Sequence, residues 1–195
     1  MPDVEIPKPE ELEEIRNKAF TRRVALTTAV FAVLLAITSL GGNNATKDMM
    51  LAQQQSSDQW AFYQSKTLRE HLYKTNAIQI ESLLIERGSA MNAAAKKKYE
   101  DQLRNLRTEG ARYGEEKKKI EAEAKNLEAE RDRNRRKDPY FDYAEVLLQI
   151  SIVLASISIL SLSRPMYYFA IGCACLGTIL MVNGFFPVFR VPFIG

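Results

Sequence analysis

Three long apolar blocks divide the polar parts of this chain of 195 residues. The blocks cover residues 24–40, 144–162 and 166–186, which makes them 17, 19 and 21 residues long. A membrane's hydrocarbon core is about 30 Å thick, and a helix needs roughly 20 residues to cross it. Glu145, at an edge, is the only residue of the blocks with a charged side chain. The pattern predicts an all-α integral membrane protein with three transmembrane helices, at residues 24–40, 143–163 and 166–187.

The stretch before the first block helps to decide whether that block is a cleaved signal peptide or a permanent part of the protein. Residues 1–23 form a polar, amphipathic segment with six acidic side chains, which is unusual for the start of a signal peptide. We therefore expect the first block to stay in the protein as an anchor. A short tail, residues 188–195, follows the third block.

The central segment, residues 41–142, has the composition of a long helix. Its second half carries apolar or aromatic side chains at every seventh position: Tyr99, Leu106, Tyr113, Ile120 and Leu127. A seven-residue period places one face of a helix against a partner helix, as in a coiled coil. This half is predicted to supply one row of a coiled-coil seam.

The first half of the central segment shows a looser helical stripe, made of Ala61, Leu68, Leu72, Thr75, Gln79 and Leu83. A helix stop near residues 87–91, at Gly88, then predicts an antiparallel helical hairpin between the first and second spans. Gly41 and Gly42, just after the first span, leave two alternatives. They end the helix, or the helix continues through them at a cost of about 1 kcal/mol per glycine relative to alanine.

The stretch SSDQWAFYQSKTLREHLYK holds the chain's only tryptophan and only histidine. Four of its side chains share one helical face beside the stripe, and we expect them to form a packing or partner-contact surface: Trp60, Tyr63, Thr67 and His71. Catalysis by a nucleophile and a base usually uses a histidine as the base, together with other catalytic groups. The sequence shows no such groups to accompany His71.

The run ALTTAVFAVLLAITSLGGNNA, followed by SSDQWAFYQSKTLREHLY, a charged helical stretch and two closing apolar blocks, resembles a bacterial membrane family. This is the family called domain of unknown function 4337. The resemblance covers essentially the whole chain. It implies a bacterial envelope protein and supplies no activity, catalytic residue or cofactor.

Charge and residue chemistry argue against several functional classes. The net charge is +3, and fifteen basic residues over 96–137 are interleaved with ten acidic ones, so no continuous basic stripe offers itself to nucleic acid. No phosphate-binding glycine loop or metal-ligand spacing is present in the sequence. We expect no enzymatic activity, no cofactor, no metal and no nucleic-acid partner.

Two further sets of residues suggest contacts at the membrane. Basic side chains just before the second span are expected to touch lipid headgroups: Arg131, Arg133, Arg135, Arg136 and Lys137. Small residues at helical spacing in the last two spans are expected to pack helices together: Ser151, Ala155, Ser158, Ala170, Ala174 and Gly177.

The basic residues around the first span favour a cytoplasmic amino terminus, and those before the second span oppose it. The first helix usually dominates, so a multi-pass protein of the bacterial inner membrane with its amino terminus inside is expected. Its predicted role is that of an interaction or scaffold protein, as a homo-oligomer or a subunit of a larger membrane complex. The alternative is an oligomeric channel or a transporter component.

Overall fold

A computed structural model describes residues 9–189, except for the side chains of Pro9 and Leu12. The described chain consists of three α-helices and contains no strand: α1 (Pro9–Arg87), α2 (Ala93–Ser161) and α3 (Arg164–Phe185). The all-α prediction is confirmed. Each helix is long and apolar enough to cross a membrane. The beginning of the predicted amino-terminal segment, residues 1–8, and the end of the predicted tail, residues 190–195, lie outside the described residues.

Helix α1 continues without interruption through Gly41 and Gly42, so the second of the two alternatives holds. It ends at Arg87, where the N–H of Gly88 donates to the carbonyl of Leu84 at 3.0 Å. A Cβ at position 88 would lie 2.3 Å from that carbonyl oxygen, so only glycine fits there. Helix α2 starts after Asn92, whose Oδ1 accepts from the N–H of Ala95 at 2.7 Å and caps the helix.

Helix α2 runs through Pro139 and ends at Ser161. Leu162 follows in the left-handed region, with φ of 49°, and turns the chain into α3. The hydroxyl of Ser158 donates to the carbonyl of Ser163 at 3.0 Å, which holds this tight connection. Pro165 stands in the first turn of α3, where its missing N–H costs nothing.

The described chain divides into two compact units, residues 9–48 with 133–189 and residues 49–132. The first unit, which we call the span unit, contains the apolar parts of all three helices. Its core is formed by small and medium apolar side chains: Val24, Phe31, Leu148, Ala155, Ala170 and Ala174. Phe20 of α1 packs edge-on against Tyr167 of α3, with ring centroids 5.7 Å apart, and Thr27 shares a hydrogen bond of 2.9 Å with the hydroxyl of Tyr167.

Residues 49–132 form the second unit, which we call the arm unit. Its two helical arms, one from α1 and one from α2, run antiparallel. Trp60 near one end contacts Glu128, and Glu81 near the other end pairs with Arg107 at 2.8 Å. Buried between these ends are Glu70, Tyr113 and the apolar Ala77, Ile120 and Ala124.

Candidate functional site

The face of α1 that packs against α2 in the arm unit is the one with the aromatic side chains. Trp60 and Tyr63 are half-buried with their rings 5.4 Å apart in a T-shaped contact, and the indole Nε1–H donates to Glu128 Oε1 at 2.9 Å. Thr67 is also half-buried, and its hydroxyl has no hydrogen-bond partner in the described part of the chain. His71 is exposed. Three of the four residues expected at a partner surface thus lie between the two arms of this chain.

The apolar stripe predicted for the first half is wrong as the seam of the hairpin. Leu68 and Leu72 are 63% and 55% exposed, and Ala61 is exposed too. The buried residues on this arm are Ala52, Ser56, Glu70 and Ala77. The prediction failed because it placed leucines in the seam, whereas small residues, the paired Glu70 and half-buried aromatic rings lie there on α1.

Helix α2 contributes the seven-residue row to the same seam. Tyr113 and Ile120 are buried, and the other three members of the row, Tyr99, Leu106 and Leu127, are half-buried. Tyr113 stacks on Tyr73 with ring centroids 5.4 Å apart and an interplanar angle of 23°. The ammonium of Lys66 lies 5.1 Å from the Tyr113 ring centroid, within cation–π range.

A buried carboxylate lies at the middle of the seam. Glu70 is 7% exposed, and its two oxygens each meet a lysine at 2.6 Å, Lys74 on its own helix and Lys117 on α2. Hydrogen bonding to Lys117, and then to Lys74, lowers the pKa of Glu70 from 4.5 to about 2, against the opposing effect of burial. The same contact raises the pKa of Lys117.

Two glycines of α2 leave room for this arrangement. A Cβ at Gly114 would lie 3.3 Å from Oε1 of Glu70, and one at Gly110 would lie 3.6 Å from Cβ of Tyr73. A second interhelix ion pair, between Lys66 and Glu116 at 2.6 Å, lies next along the seam and lowers the pKa of Glu116. The seam is therefore an ordered polar network, and every charged group named in it has an opposite charge beside it.

In the span unit, all six small residues predicted to pack helices are buried: Ser151, Ala155, Ser158, Ala170, Ala174 and Gly177. A Cβ at Gly177 of α3 would lie 3.1 Å from the carbonyl oxygen of Ala144 on α2, so the two backbones approach closely there. The hydroxyls of Ser151 and Thr38 donate to carbonyls of their own helices, Leu147 and Leu34. These polar groups are satisfied inside the bundle.

The five basic residues predicted at the headgroups have different surroundings. Arg131 pairs with Asp132 at 2.8 Å and donates to Gln53 at 2.9 Å, both within the arm unit. Arg135 is exposed. The remaining three, Arg133, Arg136 and Lys137, line a cavity of about 460 Å³ in the span unit, together with Tyr140, Asn183 and the segment 187–189.

Within residues 9–189, no group of three His, Cys, Asp or Glu side chains is placed to hold a metal ion. Cys173 is half-buried and Cys175 exposed, and both are free thiols.

The protein belongs to the class of helical proteins with membrane-spanning potential. It has three long helices, three apolar segments and two charged arms that run antiparallel. The chain belongs to the family described as "Domain of unknown function (DUF4337)", whose model matches residues 20–187. The resemblance seen in the sequence is confirmed by this match. No curated protein and no solved structure matches the chain.

Proposed function

We propose that this protein is a membrane-anchored helical hairpin that associates with a second copy of itself through the outer face of α1, and that it works as a scaffold or accessory subunit of a membrane complex. In this proposal the arms of α1 and α2 form an antiparallel coiled coil. The three apolar segments cross the bacterial inner membrane. The protein has no catalytic role of its own.

Support for membrane insertion comes from the outer surface of the span unit. Large apolar side chains face outward along all three helices, with Leu26 63%, Val33 60% and Leu160 86% exposed. A water-facing surface rarely carries so many contiguous apolar groups, whereas lipid chains solvate them at no cost. The polar side chains inside the unit bond to backbone carbonyls, which favours a packed anchor over the channel alternative.

The observation that carries the proposed association is the apolar face of α1 outside the spans. Six large apolar side chains there are between 54% and 81% exposed: Met50, Leu51, Leu68, Leu72, Ile78 and Ile85. These six side chains lie 10 to 45 residues beyond Leu40, the last residue of the first apolar block. On the seven-residue period of a coiled coil, Leu51 and Leu72 occupy equivalent positions, with Asp58 and Ser65 between them, and Ile78 and Ile85 occupy equivalent positions one period apart.

A second copy is the occupant that fits this face best. Copies anchored in one bilayer have the same orientation and present the same face at the same height, which raises their effective concentration. Rotation about an axis normal to the membrane would bring two α1 helices together in parallel and in register, as a closed two-fold interface requires. Four helices would then form one bundle.

The size of the assembly tests this proposal. We expect the full chain in lipid nanodiscs to show the mass of a dimer, or a multiple of it, by single-molecule mass measurement. A strictly monomeric protein at micromolar concentration in native-like lipid would refute self-association. Alkaline carbonate extraction tests insertion separately, because an inserted protein stays in the membrane pellet.

For orientation, we propose a cytoplasmic amino terminus, with Arg164 at the start of α3 on the same side. The hairpin would then lie on the opposite side. A cysteine at the exposed Ser89, beside the tip of the hairpin, should react with an impermeant maleimide added from outside to spheroplasts. Labelling only after lysis would reverse the orientation.

A further inference from the structure

The cavity next to the start of the second apolar block has a strongly cationic wall. Arg133, Arg136 and Lys137 lie three and four residues apart on α2, so their side chains project from one side of the helix. The described residues that line the cavity include no carboxylate. Asp138, the next residue in the chain, accepts a hydrogen bond of 2.8 Å from Thr46 and is not part of the lining.

The opposite wall is held in place by one buried amide. Asn183 of α3 is 1% exposed, and its Nδ2 donates to the carbonyl of Phe189 at 2.9 Å. Its Oδ1 accepts from the N–H groups of Val188 and Phe189 at 3.0 and 3.1 Å. These three bonds fix the segment 187–189 after the end of α3. Hydrogen bonds within the chain therefore hold this wall of the cavity.

An apolar groove adjoins the cavity. It has a volume of about 200 Å³ and shares Asn183, Val188 and Phe189 with the cavity. From these residues it continues along α3 between Thr178 and Phe186, with Ile179 and Val182 in its wall. A cationic cavity that opens into an apolar groove has the two-part chemistry of a phospholipid, with phosphate at one end and an acyl chain at the other.

The position of the cavity and groove along the helices fits the binding of a phospholipid. Lys137 precedes Ala144, the first residue of the second apolar block, by seven residues, or about 10 Å of helix. Asn183 lies close to the end of the third block. In a membrane whose polar layers add several Å on each side of the hydrocarbon core, the cations would lie at headgroup depth and the groove at the depth of the upper acyl chain.

We propose that this cavity and groove bind one anionic phospholipid, with the phosphate held by Arg133, Arg136 and Lys137 and the upper acyl chain lying along α3. Arginine offers planar, paired donors to phosphate oxygens, and lysine adds a point charge. Free phosphate shares the headgroup chemistry but would leave the apolar groove empty. The site rests on the proposed membrane insertion, and it does not depend on self-association.

The test uses the full chain in mild detergent, with lipid retention read by native mass spectrometry. One variant removes three charges at the site, Arg133→Gln with Arg136→Gln and Lys137→Gln. Its matched control removes three charges from exposed positions elsewhere on α2, Lys96→Gln with Lys97→Gln and Lys98→Gln. Added lipids are phosphatidylglycerol and zwitterionic phosphatidylcholine, and helicity by circular dichroism verifies that each variant is folded.

The wild type and the control are expected to retain phosphatidylglycerol at least about tenfold more than phosphatidylcholine, and the site variant should lose this preference. Equal retention of phosphatidylglycerol by the site variant and the control would overturn the proposal, as would equal retention of the two lipids by the wild type. Glycerol phosphate, which has no acyl chain, should bind at least about tenfold more weakly than the lipid. If millimolar inorganic phosphate displaces the lipid and glycerol phosphate binds as tightly, the site is one for free phosphate and the lipid assignment fails.

Failure of this proposal can be told apart from failure of membrane insertion. A protein that alkaline carbonate removes from membranes would undermine insertion itself. A protein that stays in the pellet but shows no lipid preference would refute only the lipid site.

Discussion

The ring of Phe141 on α2 lies so close to the backbone of Gly41 on α1 that a Cβ at position 41 would be 2.7 Å from its Cε1. Phe185 of α3 approaches the same point, with its Cζ 2.6 Å from that Cβ position. Gly184 of α3 makes a similarly close approach, at 2.9 Å from the Phe141 ring. Phe141 is 3% exposed and meets the Phe185 ring edge-on, with centroids 4.9 Å apart. The two glycines after the first span therefore leave the space that the Phe141 ring occupies, and α1 remains helical there.

Gly41→Ala is expected to lower the stability of the span unit by about 1–3 kcal/mol, because the added methyl group forces two packed rings to move. The measurement is the apparent Tm of the detergent-solubilised protein, followed by circular dichroism. Gly172→Ala is the matched control, since a Cβ there meets nothing within 4 Å. Alanine favours helix by up to about 1 kcal/mol over glycine, so the control should be neutral or slightly stabilised. Equal Tm values for the two variants would argue against this close packing of the rings on Gly41.

Trp60 is expected to stabilise the arms through its bond to Glu128. Trp60→Phe keeps an aromatic ring and removes the donor, so it should cost about 1–2 kcal/mol, as expected for a bond to a charged acceptor. Chemical unfolding in detergent followed by circular dichroism measures this loss. Asp58→Asn, at an exposed position on the same helix, provides the control and should leave the midpoint unchanged. A midpoint for Trp60→Phe equal to that of the wild type would contradict the assigned role.

Glu70 should make the stability of the arm unit depend on acid pH. Its pKa is about 2 in the folded chain and 4.5 ordinarily, so the stabilisation is complete above about pH 4.5 and is lost as the pH falls towards 2. Glu70→Gln is expected to cost about 1–3 kcal/mol at neutral pH, because it leaves Lys117 without its partner between the helices. The wild type and this variant should approach each other in stability as the pH is lowered through that window.

The control for this prediction is Glu86→Gln, at an exposed position near the end of α1. It should follow the wild type at every pH. If the difference between Glu70→Gln and the wild type stays constant from neutral pH down to about 2.5, the ion-pair account is wrong.

The sequence predicted the helical class and the contribution of α2 better than that of α1. On α2 the row from Tyr99 to Leu127 recurs every seven residues, and the same step leads on to Asn134, Phe141, Leu148 and Ala155, all of them buried. This continuation of the seven-residue step marks the charged arm and the second span as one helix.

On α1 the pattern misled because burial does not follow hydrophobicity there. Glu70 is buried since Lys74 and Lys117 neutralise it, and Leu68 two positions earlier is exposed. Ion pairs between distant segments leave no local periodic signal. The contact between Gly41 and Phe141 could not be predicted from the sequence either, because their separation of a hundred residues carries no information about contact.

The exposed face of α1 is expected to control association without supporting the fold. Leu68→Lys combined with Leu72→Lys should reduce the dimeric fraction in nanodiscs at least tenfold, because two buried leucines per copy would be replaced by like charges that face each other. The Tm should change little, since both side chains are exposed in one copy. Ala122→Lys with Ala129→Lys adds the same charge to the exposed face of α2 and should leave the dimer intact.

Cysteine cross-linking in native membranes tests the central claim, self-association through the outer face of α1, most directly. In a chain with Cys173→Ser and Cys175→Ser, single cysteines replace Leu68 on that face or Ala122 on the exposed face of α2. A parallel, in-register pair of α1 helices brings each residue 68 close to its counterpart, so mild oxidation should give disulfide-linked dimers for Leu68→Cys and few for Ala122→Cys. Monomers at both positions, or equal cross-linking at both, would contradict the account.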